Sequence, residues 1–265
     1  MPQADRPSGT PPSRDPQRSL VLGISGASGL IYAVRALKHL LTADYTVDVV
    51  ASKATYRVWQ NEMGIAMPPD PVKQAVFWRD QAGVSEGGTL TCHRWDDVGA
   101  TIASGSYRTA GMLVMPCSMS TVAKLATGLS AGLLERAADV HLKERRSLVI
   151  VPRETPLSTI HLRNLTNLSE VGVRVVPAIP AWYHHPQSIE DLVDFVVARA
   201  LDQFEIDCVP LKRWDGGIRK ETSPSGTTNA EGKSNQNNQH QKGETGAFND
   251  VNSSSVNANG VSAAI

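Results

Sequence analysis

The chain has 265 residues, of which 41% are hydrophobic and 20% are charged, a balance that supplies the core of an ordinary globular protein. Its 26 basic and 26 acidic side chains leave no formal net charge, which removes the nonspecific attraction on which most nucleic-acid-binding proteins depend. No apolar run approaches the roughly 18 residues of a membrane span, so neither a nucleic acid nor a membrane is expected as a partner.

The two ends of the chain differ in composition from its middle. Residues 1–18 combine prolines, arginines and aspartates without the apolar segment of a secretory signal, which predicts a disordered arm. Residues 215–265 are rich in Asn, Ser and Gly and hold one aromatic residue, so they cannot bury enough apolar area to offset the entropy of ordering. We therefore expect one folded domain at 19–214 and a disordered, polar low-complexity tail at 215–265.

Strand-like and helix-like segments alternate from the start of this domain. Residues 19–24 form an apolar run of strand length, and the apolar residues within 30–41 follow at helical spacing. Residues 46–51 are β-branched and predict a second strand. This strand ends at Ser52, which is expected to cap a helix that continues to Trp59.

The second half of the domain continues the same alternation after an interruption. Residues 63–90 contain three prolines and are expected to be irregular. Residues 111–116, 147–151 and 173–176 are apolar runs that predict three more buried strands. The last helix is expected to begin at Ser188, because Ser-Ile-Glu-Asp resembles a capping box.

Continuous apolar strands separated by helices are typical of parallel sheets that are covered on both faces. The predicted fold class is therefore α/β, a Rossmann-like (flavodoxin-like) doubly wound parallel sheet in three layers, α/β/α. Ligands of such sheets bind outside the carboxyl ends of the strands, so the loops that follow the strands are the candidate site.

The first of these loops is the glycine-rich turn Gly23–Gly29, where backbone N–H groups and a helix dipole favour an anion. Its spacing is G-x-x-G-x-x-G rather than the dinucleotide pattern G-x-G-x-x-G, and no Lys-Ser or Lys-Thr pair of a P-loop follows. The second strand ends at Ser52 instead of the acidic residue that holds an adenosine ribose. The turn therefore favours a phosphate or a mononucleotide over NAD, with a purely structural tight turn as the alternative.

A second loop with hydroxyl groups follows the strand at 111–116. Its residues Ser118, Ser120 and Thr121 cluster where another helix is expected to begin. Two such loops converging on one crevice make FMN the cofactor that fits best. Cys117 lacks a recognisable histidine partner and is interpreted as a packing residue. The three cysteines are too few and too widely spaced for a disulfide framework or a zinc site, which suggests a reducing compartment.

A run of charged residues extends over 132–154, and most of it is compatible with a solvated helix surface that carries i,i+4 ion pairs. Arg153 and Glu154 differ because they directly follow the apolar stretch 148–152 at the end of a predicted strand and so belong to the ligand crevice. An arginine there can bind a phosphate in bidentate fashion, and a neighbouring glutamate can exchange a proton.

Several stretches of the chain together resemble one known family. They are GISGASG, ASKA, SGS, MPCSMST, LLERAADVHLKERRSLVIVPRETPLS, PAIPAWYHHPQSIEDLVDFVVAR and a closing RW. The chain resembles the UbiX-type flavin prenyltransferases, formerly described as phenylacrylic or aromatic acid decarboxylases, over essentially all of residues 19–214. A polar tail such as 215–265 would suit a fungal member of the family.

The resemblance implies a transferase of alkyl groups that needs no metal. It would join a dimethylallyl group from dimethylallyl monophosphate to N5 and C6 of reduced FMN. The product, prenylated FMN, would serve a UbiD-type decarboxylase as its cofactor. The family also implies a homo-oligomer, a dodecamer, and a mitochondrial location for a fungal protein or otherwise the cytoplasm.

The resemblance also implies roles for individual residues. The FMN-binding residues would be Gly26, Ala27, Ser28, Ser52, Ser118, Met119, Ser120, Thr121 and, across a subunit boundary, Arg136. The dimethylallyl phosphate would be bound by Lys143, Arg153, Tyr183, Arg199 and Trp214. The catalytic residues would be Glu154, in proton transfer, together with Arg153, Lys143 and Ser28. The loop with Ser104 and Ser106 would line the flavin.

Two other functions remain open at this point. The chain could decarboxylate aromatic or phenylacrylic acids directly, or it could be an FMN-binding protein without catalytic activity.

Overall fold

The computed structural model describes residues 15–211, which form a six-stranded parallel sheet covered by helices. The strands are β1 (Ser19–Ile24), β2 (Thr46–Ala51), β3 (Thr89–His93), β4 (Gly111–Cys117), β5 (Ser147–Pro152) and β6 (Arg174–Val175). The helices are α1 (Ile31–Thr42), α2 (Lys53–Met63), α3 (Pro71–Ala82), α4 (Met119–Ala126), α5 (Leu133–Lys143), α6 (Thr159–Glu170) and α7 (Ile189–Leu201). The predicted tail, the first 14 residues of the predicted arm and Trp214 lie outside the described residues.

The strand order is β3-β2-β1-β4-β5-β6, so the chain winds outward in both directions from the centre of the sheet. Helices cover both faces, because buried residues of α1, α3 and α7 pack on one face and those of α4, α5 and α6 on the other. Both faces of the central strands are therefore buried, which explains their continuous apolar runs. The predicted doubly wound, three-layer α/β fold is confirmed.

The expectation of irregular structure at 63–90 is wrong, because this stretch contains α3 and the start of β3. Asp70 caps α3 by accepting the N–H of Lys73 at 2.9 Å, and Pro71 occupies the first turn, where its missing N–H removes no helical hydrogen bond. Gly83 ends the helix in the left-handed conformation, with φ of 64°. Asp70 as the N-cap, Pro71 in the first turn and Gly83 after the last turn are the signals that identify α3 from the sequence.

The strand predicted at 173–176 is longer and more buried than the strand that the structure shows. The strand β6 covers two residues, Arg174 and Val175, and pairs with β5 alone. It lies at the edge of the sheet, where Arg174 is exposed. An edge strand has one neighbour to hold it in register, so its pairing ends sooner than the apolar run does.

The last helix, α7, begins as predicted. The hydroxyl of Ser188 accepts the N–H of Asp191 at 3.1 Å, and the carboxylate of Asp191 accepts the N–H of Ser188 at 3.1 Å. This reciprocal capping box fixes where the chain enters the helix. Among the residues that the structure describes, no helix has both the length and the apolar character to cross a membrane.

A buried histidine joins α5 to the loop before β4. Burial lowers the pKa of His141 from 6.5 to about 4; a hydrogen bond to Ala137 opposes this shift, and the charge of Arg146 adds to it. The Nδ1–H group donates to the carbonyl oxygen of Ala137 at 2.7 Å, which leaves Nε2 to accept from the Thr109 hydroxyl at 2.9 Å. Both nitrogens of the neutral ring are therefore satisfied.

We expect the neutral His141 to make the stability of the protein depend on pH. Below pH 6.5 the unfolded chain binds a proton at this residue that the folded chain does not, so acid favours unfolding. One such proton lowers the free energy of unfolding by about 2 kcal/mol between pH 6.5 and pH 5. Urea unfolding of the wild type and of His141→Gln measures this, and the variant should lack that share of the pH dependence. Equal slopes in the two proteins would contradict the prediction.

Candidate active site

The loops after β1 and β4 diverge at the point where the strand order reverses, so a crevice opens at the carboxyl ends of these strands. Ser25, which is completely buried, joins the two loops. Its hydroxyl donates to the carbonyl oxygen of Pro116 at 2.9 Å and accepts the N–H of Ser118 at 2.7 Å. One side chain therefore ties together the two edges of the crevice.

The glycine-rich turn packs against the first turn of α2. A Cβ atom at Gly26 would lie 2.5 Å from the Cβ of Ala54, so no larger residue fits without a shift of the helix. The N–H of Ser52 donates to the carbonyl oxygen of Ile24 at 2.8 Å. The Ser52 side chain does not cap α2 as expected; its hydroxyl instead lies 3.0 Å from that of Thr55. These contacts bring Ser52 to the same crevice as Gly26.

A carboxylate that the sequence interpretation missed occupies the N-terminus of α1. Glu62, near the end of α2, accepts the N–H of Gly29 at 2.9 Å and the N–H of Leu30 at 3.1 Å. The last part of the glycine-rich turn thus binds an anion from the protein itself. A phosphate in the crevice would therefore meet the first part of the turn, near Gly26. No spacing rule connects Glu62 to the turn, because the two meet through packing of separate helices.

A cavity of about 600 Å³ occupies the crevice, a volume within the usual range for small-ligand sites. Its lining includes five of the residues predicted to bind FMN: Gly26, Ser52, Ser118, Ser120 and Thr121. The Ser118 hydroxyl accepts the N–H of Thr121 at 3.2 Å and so caps α4 at the cavity wall. Hydroxyl groups from two loops thus face one space, which fits the phosphate and ribityl chain of a flavin mononucleotide.

The charged groups on the cavity wall are mostly positive. Lys53 and Arg57 come from the first turns of α2 and are both exposed. Lys124 lies on the opposite side and pairs with the buried Glu135 at 2.9 Å. Glu135 neutralises one cation, which leaves Lys53 and Arg57 to attract an anionic ligand.

Three more of the predicted FMN-binding residues lie beside the cavity or apart from it. Ala27 and Met119 are each 5% exposed, so their backbone atoms are what they can offer a ligand. Arg136 is half-buried on α5, where it pairs with Asp139 at 2.7 Å.

Burial raises the pKa of the Cys117 thiol well above its usual range, and the charge of Glu135 raises it further. Such a thiol is a poor nucleophile, in keeping with a packing role for Cys117.

Arg153 extends from the end of β5 to the glycine-rich turn. Its Nε–H group donates to the carbonyl oxygen of Ser28 at 3.1 Å, and its backbone N–H donates to the carbonyl oxygen of Cys117 at 3.2 Å. Burial raises the pKa of Tyr32, and the nearby positive charge of Arg153 partly offsets this. Glu154 is exposed and accepts the N–H of Thr155 at 3.1 Å. The structure thus brings Arg153 and Ser28 together at the edge of the crevice.

Lys143 lies at the other end of β5. It is the last residue of α5, before the strand begins, whereas Arg153 follows the end of the strand. Six strand residues separate the two ends by about 20 Å. Ser104 and Ser106, whose hydroxyls lie 2.9 Å apart, precede β4 and belong to the Lys143 end. One chain therefore does not bring these three residues to its own cavity at the carboxyl ends of the strands.

Arg199 and Tyr183 are not among the residues that line the hydroxyl-lined cavity. Arg199 is near the end of α7, pairs with Asp202 at 2.7 Å and lines a separate cavity of about 660 Å³ along β6. Tyr183 is 42% exposed, and its ring contacts that of Phe195 at a centroid distance of 5.8 Å. The predicted phosphate-binding residues within 15–211 are therefore distributed over three parts of the surface, and of these residues Arg153 is the one that contacts the glycine-rich turn.

Comparison with known proteins agrees with this geometry. A family model described as Flavoprotein matches residues 8–201. The flavin prenyltransferase UbiX of Synechocystis sp. is 74% identical over 202 residues, which cover 76% of this chain and 98% of the relative. The chain belongs to the UbiX family of flavin prenyltransferases. The family member from Pseudomonas aeruginosa is 44% identical over 199 residues, covering 75% of this chain and 94% of the relative.

Solved structures support the same family. AnUbiX (PadA1) in complex with FMN and dimethylallyl pyrophosphate has a TM-score of 0.66 and 37% identity, covering 76% of this chain and 99% of that one. A dodecameric FMN-dependent UbiX-like decarboxylase from Escherichia coli O157:H7 has a TM-score of 0.65 and 41% identity, covering 76% and 100%. The sources of the curated relatives above do not support the fungal origin that the polar tail suggested, and the expected mitochondrial location loses its basis with it.

Proposed function

We propose that the chain transfers a dimethylallyl group from dimethylallyl monophosphate to N5 and C6 of reduced FMN. The observation that carries this proposal is the contact of Arg153 with the glycine-rich turn: its guanidinium donates to the carbonyl oxygen of Ser28 beside the hydroxyl-lined cavity. A fixed cation next to a flavin site suits the departure of a phosphate group. The prenylated FMN would then serve a UbiD-type decarboxylase.

FMN would be held by groups from three strand ends. The hydroxyls of Ser52, Ser118 and Thr121 and the nearby N–H groups of the glycine-rich turn suit a phosphate and a ribityl chain. Gly26 allows the glycine-rich turn to pack closely against α2, because a side chain at this position would meet Ala54. When bound, reduced FMN supplies the nucleophilic ring. Arg136 would add a positive charge to the flavin site of a neighbouring subunit.

The prenyl phosphate would be bound by Arg153 of one subunit together with Lys143, Tyr183 and Arg199. Because β5 separates Lys143 from Arg153 by about 20 Å within one chain, a shared phosphate requires residues from neighbouring subunits. A dodecameric relative is consistent with such shared sites. Several cations on one phosphate stabilise the leaving group as its negative charge grows, so they supply what a magnesium ion would otherwise provide.

Glu154 would transfer the proton, and Ser28 would position Arg153. Glu154 is exposed beside Arg153, at the carboxyl end of β5, where its carboxylate can exchange a proton with a ligand in the crevice. Ser28 lies in the glycine-rich turn, and its carbonyl oxygen holds Arg153 in place. Trp214, which lies outside the described residues, would line the prenyl pocket.

Mass spectrometry of the flavin tests the proposal. The purified protein is incubated without oxygen with reduced FMN, dimethylallyl monophosphate and a chelator of divalent metals. We expect a flavin that is heavier by one prenyl unit. Bound FMN without a gain in mass would instead support a flavin-binding protein. Release of carbon dioxide from a cinnamic-type acid by this protein alone would support direct decarboxylation.

A further inference from the structure

The end of the Lys143 side chain lies close to Gly105, in the loop that precedes β4. Its ammonium donates to the carboxylate of Glu144 at 2.6 Å. A Cβ atom at Gly105 would lie 2.3 Å from Oε1 of Glu144 and 3.0 Å from Nζ of Lys143. The ends of the Lys143 and Glu144 side chains therefore lie directly against Gly105, where no larger residue fits unless they move.

Arg146 holds this part of the loop. Its guanidinium donates to the carbonyl oxygen of Tyr107 at 2.7 Å and also to that of Gly105. The turn after α5 brings it there: Arg145 adopts the left-handed conformation with φ of 55°, and the N–H of Arg146 returns to the carbonyl oxygen of His141 at 2.8 Å. Two hydrogen bonds from one rigid guanidinium thus bind both ends of the Gly105–Tyr107 segment.

The same loop is also attached to the core of the sheet. The hydroxyl of Tyr107 donates to the carboxylate of Asp48 at 2.9 Å. Asp48 is 1% exposed in β2, and its other carboxylate oxygen lies 2.9 Å from Nε2 of His93. Because both oxygens of this buried carboxylate are hydrogen-bonded, Asp48 holds Tyr107 in place, and Arg146 therefore binds a fixed segment.

We infer that Arg146 is a positioning residue for Lys143, and that it sets the place from which Lys143 reaches the prenyl phosphate of a neighbouring subunit. The inference rests on the proposed function. In this inference Arg146 acts indirectly: it binds the carbonyl oxygen of Gly105, against which the Lys143–Glu144 pair lies. A lysine cannot replace Arg146, because an ammonium lacks the planar fork that reaches two carbonyl oxygens at once.

Calorimetric titration of dimethylallyl monophosphate into the full chain loaded with oxidised FMN tests this inference without requiring turnover. We expect Arg146→Lys to weaken binding of dimethylallyl monophosphate about tenfold or more and to leave the affinity for FMN within about twofold. Gly105→Ala, which displaces the same pair without touching Arg146, should give the same result. The control is Arg145→Lys, which makes the same chemical change at the adjacent exposed residue and should bind like the wild type.

A double-mutant cycle separates positioning from general stability. In a Lys143→Ala background, Arg146→Lys should have no further effect on binding of dimethylallyl monophosphate, because the group that it positions is gone. An equal loss of affinity in both backgrounds, or wild-type affinity in Arg146→Lys, would overturn the inference. Failure of the proposed function looks different: the wild type would bind FMN and dimethylallyl monophosphate but give no prenylated flavin.

Discussion

Replacing Arg153 with alanine is expected to slow prenyl transfer by about 100-fold to 1,000-fold while the protein still binds FMN. One fixed donor on a developing negative charge typically contributes about 2.7–4 kcal/mol to lowering the barrier. In the proposed function Arg153 is such a donor: its guanidinium is held by the carbonyl oxygen of Ser28, and it is not among the residues that line the hydroxyl-lined cavity. Its loss should therefore affect the phosphate more than the flavin.

The measurement for Arg153→Ala is a single-turnover rate at saturating dimethylallyl monophosphate, with FMN binding followed by flavin absorption. Arg163→Ala removes an exposed arginine from α6 and serves as the control, with wild-type rates expected. Loss of FMN together with turnover, or an unchanged rate, would contradict the role proposed for Arg153.

Gly26→Val is expected to weaken FMN binding by about tenfold to 100-fold and to lower the stability of the protein. The first carbon of the new side chain would lie 2.5 Å from the Cβ of Ala54 and 3.0 Å from its carbonyl carbon, so backbone as well as side chain must shift. Overpacking of this kind costs about 1–3 kcal/mol. The shift separates α2 from the glycine-rich turn and so moves Ser52 away from the cavity.

Flavin titration and thermal unfolding measure the two effects of Gly26→Val. Gly99→Ala is the matched control, because the nearest heavy atom to its new Cβ lies 3.5 Å away and its backbone is outside the left-handed region. Normal FMN affinity in Gly26→Val would show that the turn and α2 need not touch for the flavin to bind.

The sequence predicted the central strands well because burial on both faces leaves an uninterrupted apolar run, as in β1 and β4. It failed at α3, where three nearby prolines were interpreted as helix breakers although Pro71 stands in the first turn. It also failed to identify β3, whose burial is interrupted by exposed residues at the edge of the sheet. To recognise edge strands and capped helices from a sequence, one must read the capping and turn residues at their ends as well as their apolar content.

The candidate site also contains some residues that the sequence could predict and others that it could not. Ser52, Ser118 and Arg153 could be predicted to lie at the crevice because each comes at the end of a predicted strand, and all parallel strands end at one edge. Glu62 was missed because it reaches the glycine-rich turn from the far end of another helix. The position of Lys143 away from Arg153 follows from strand direction, which a motif match does not convey.

The hydroxyl of Ser25 has a consequence for how ligands are selected. Because it bonds to both crevice loops from a completely buried position, the two loops lose their relative freedom when the chain folds rather than when a ligand arrives. The entropy cost of ordering the two loops is therefore incurred when the chain folds. A ligand of the right width then binds without incurring this cost again. The crevice is preorganised, and ligands of the wrong width meet edges that cannot adjust to them.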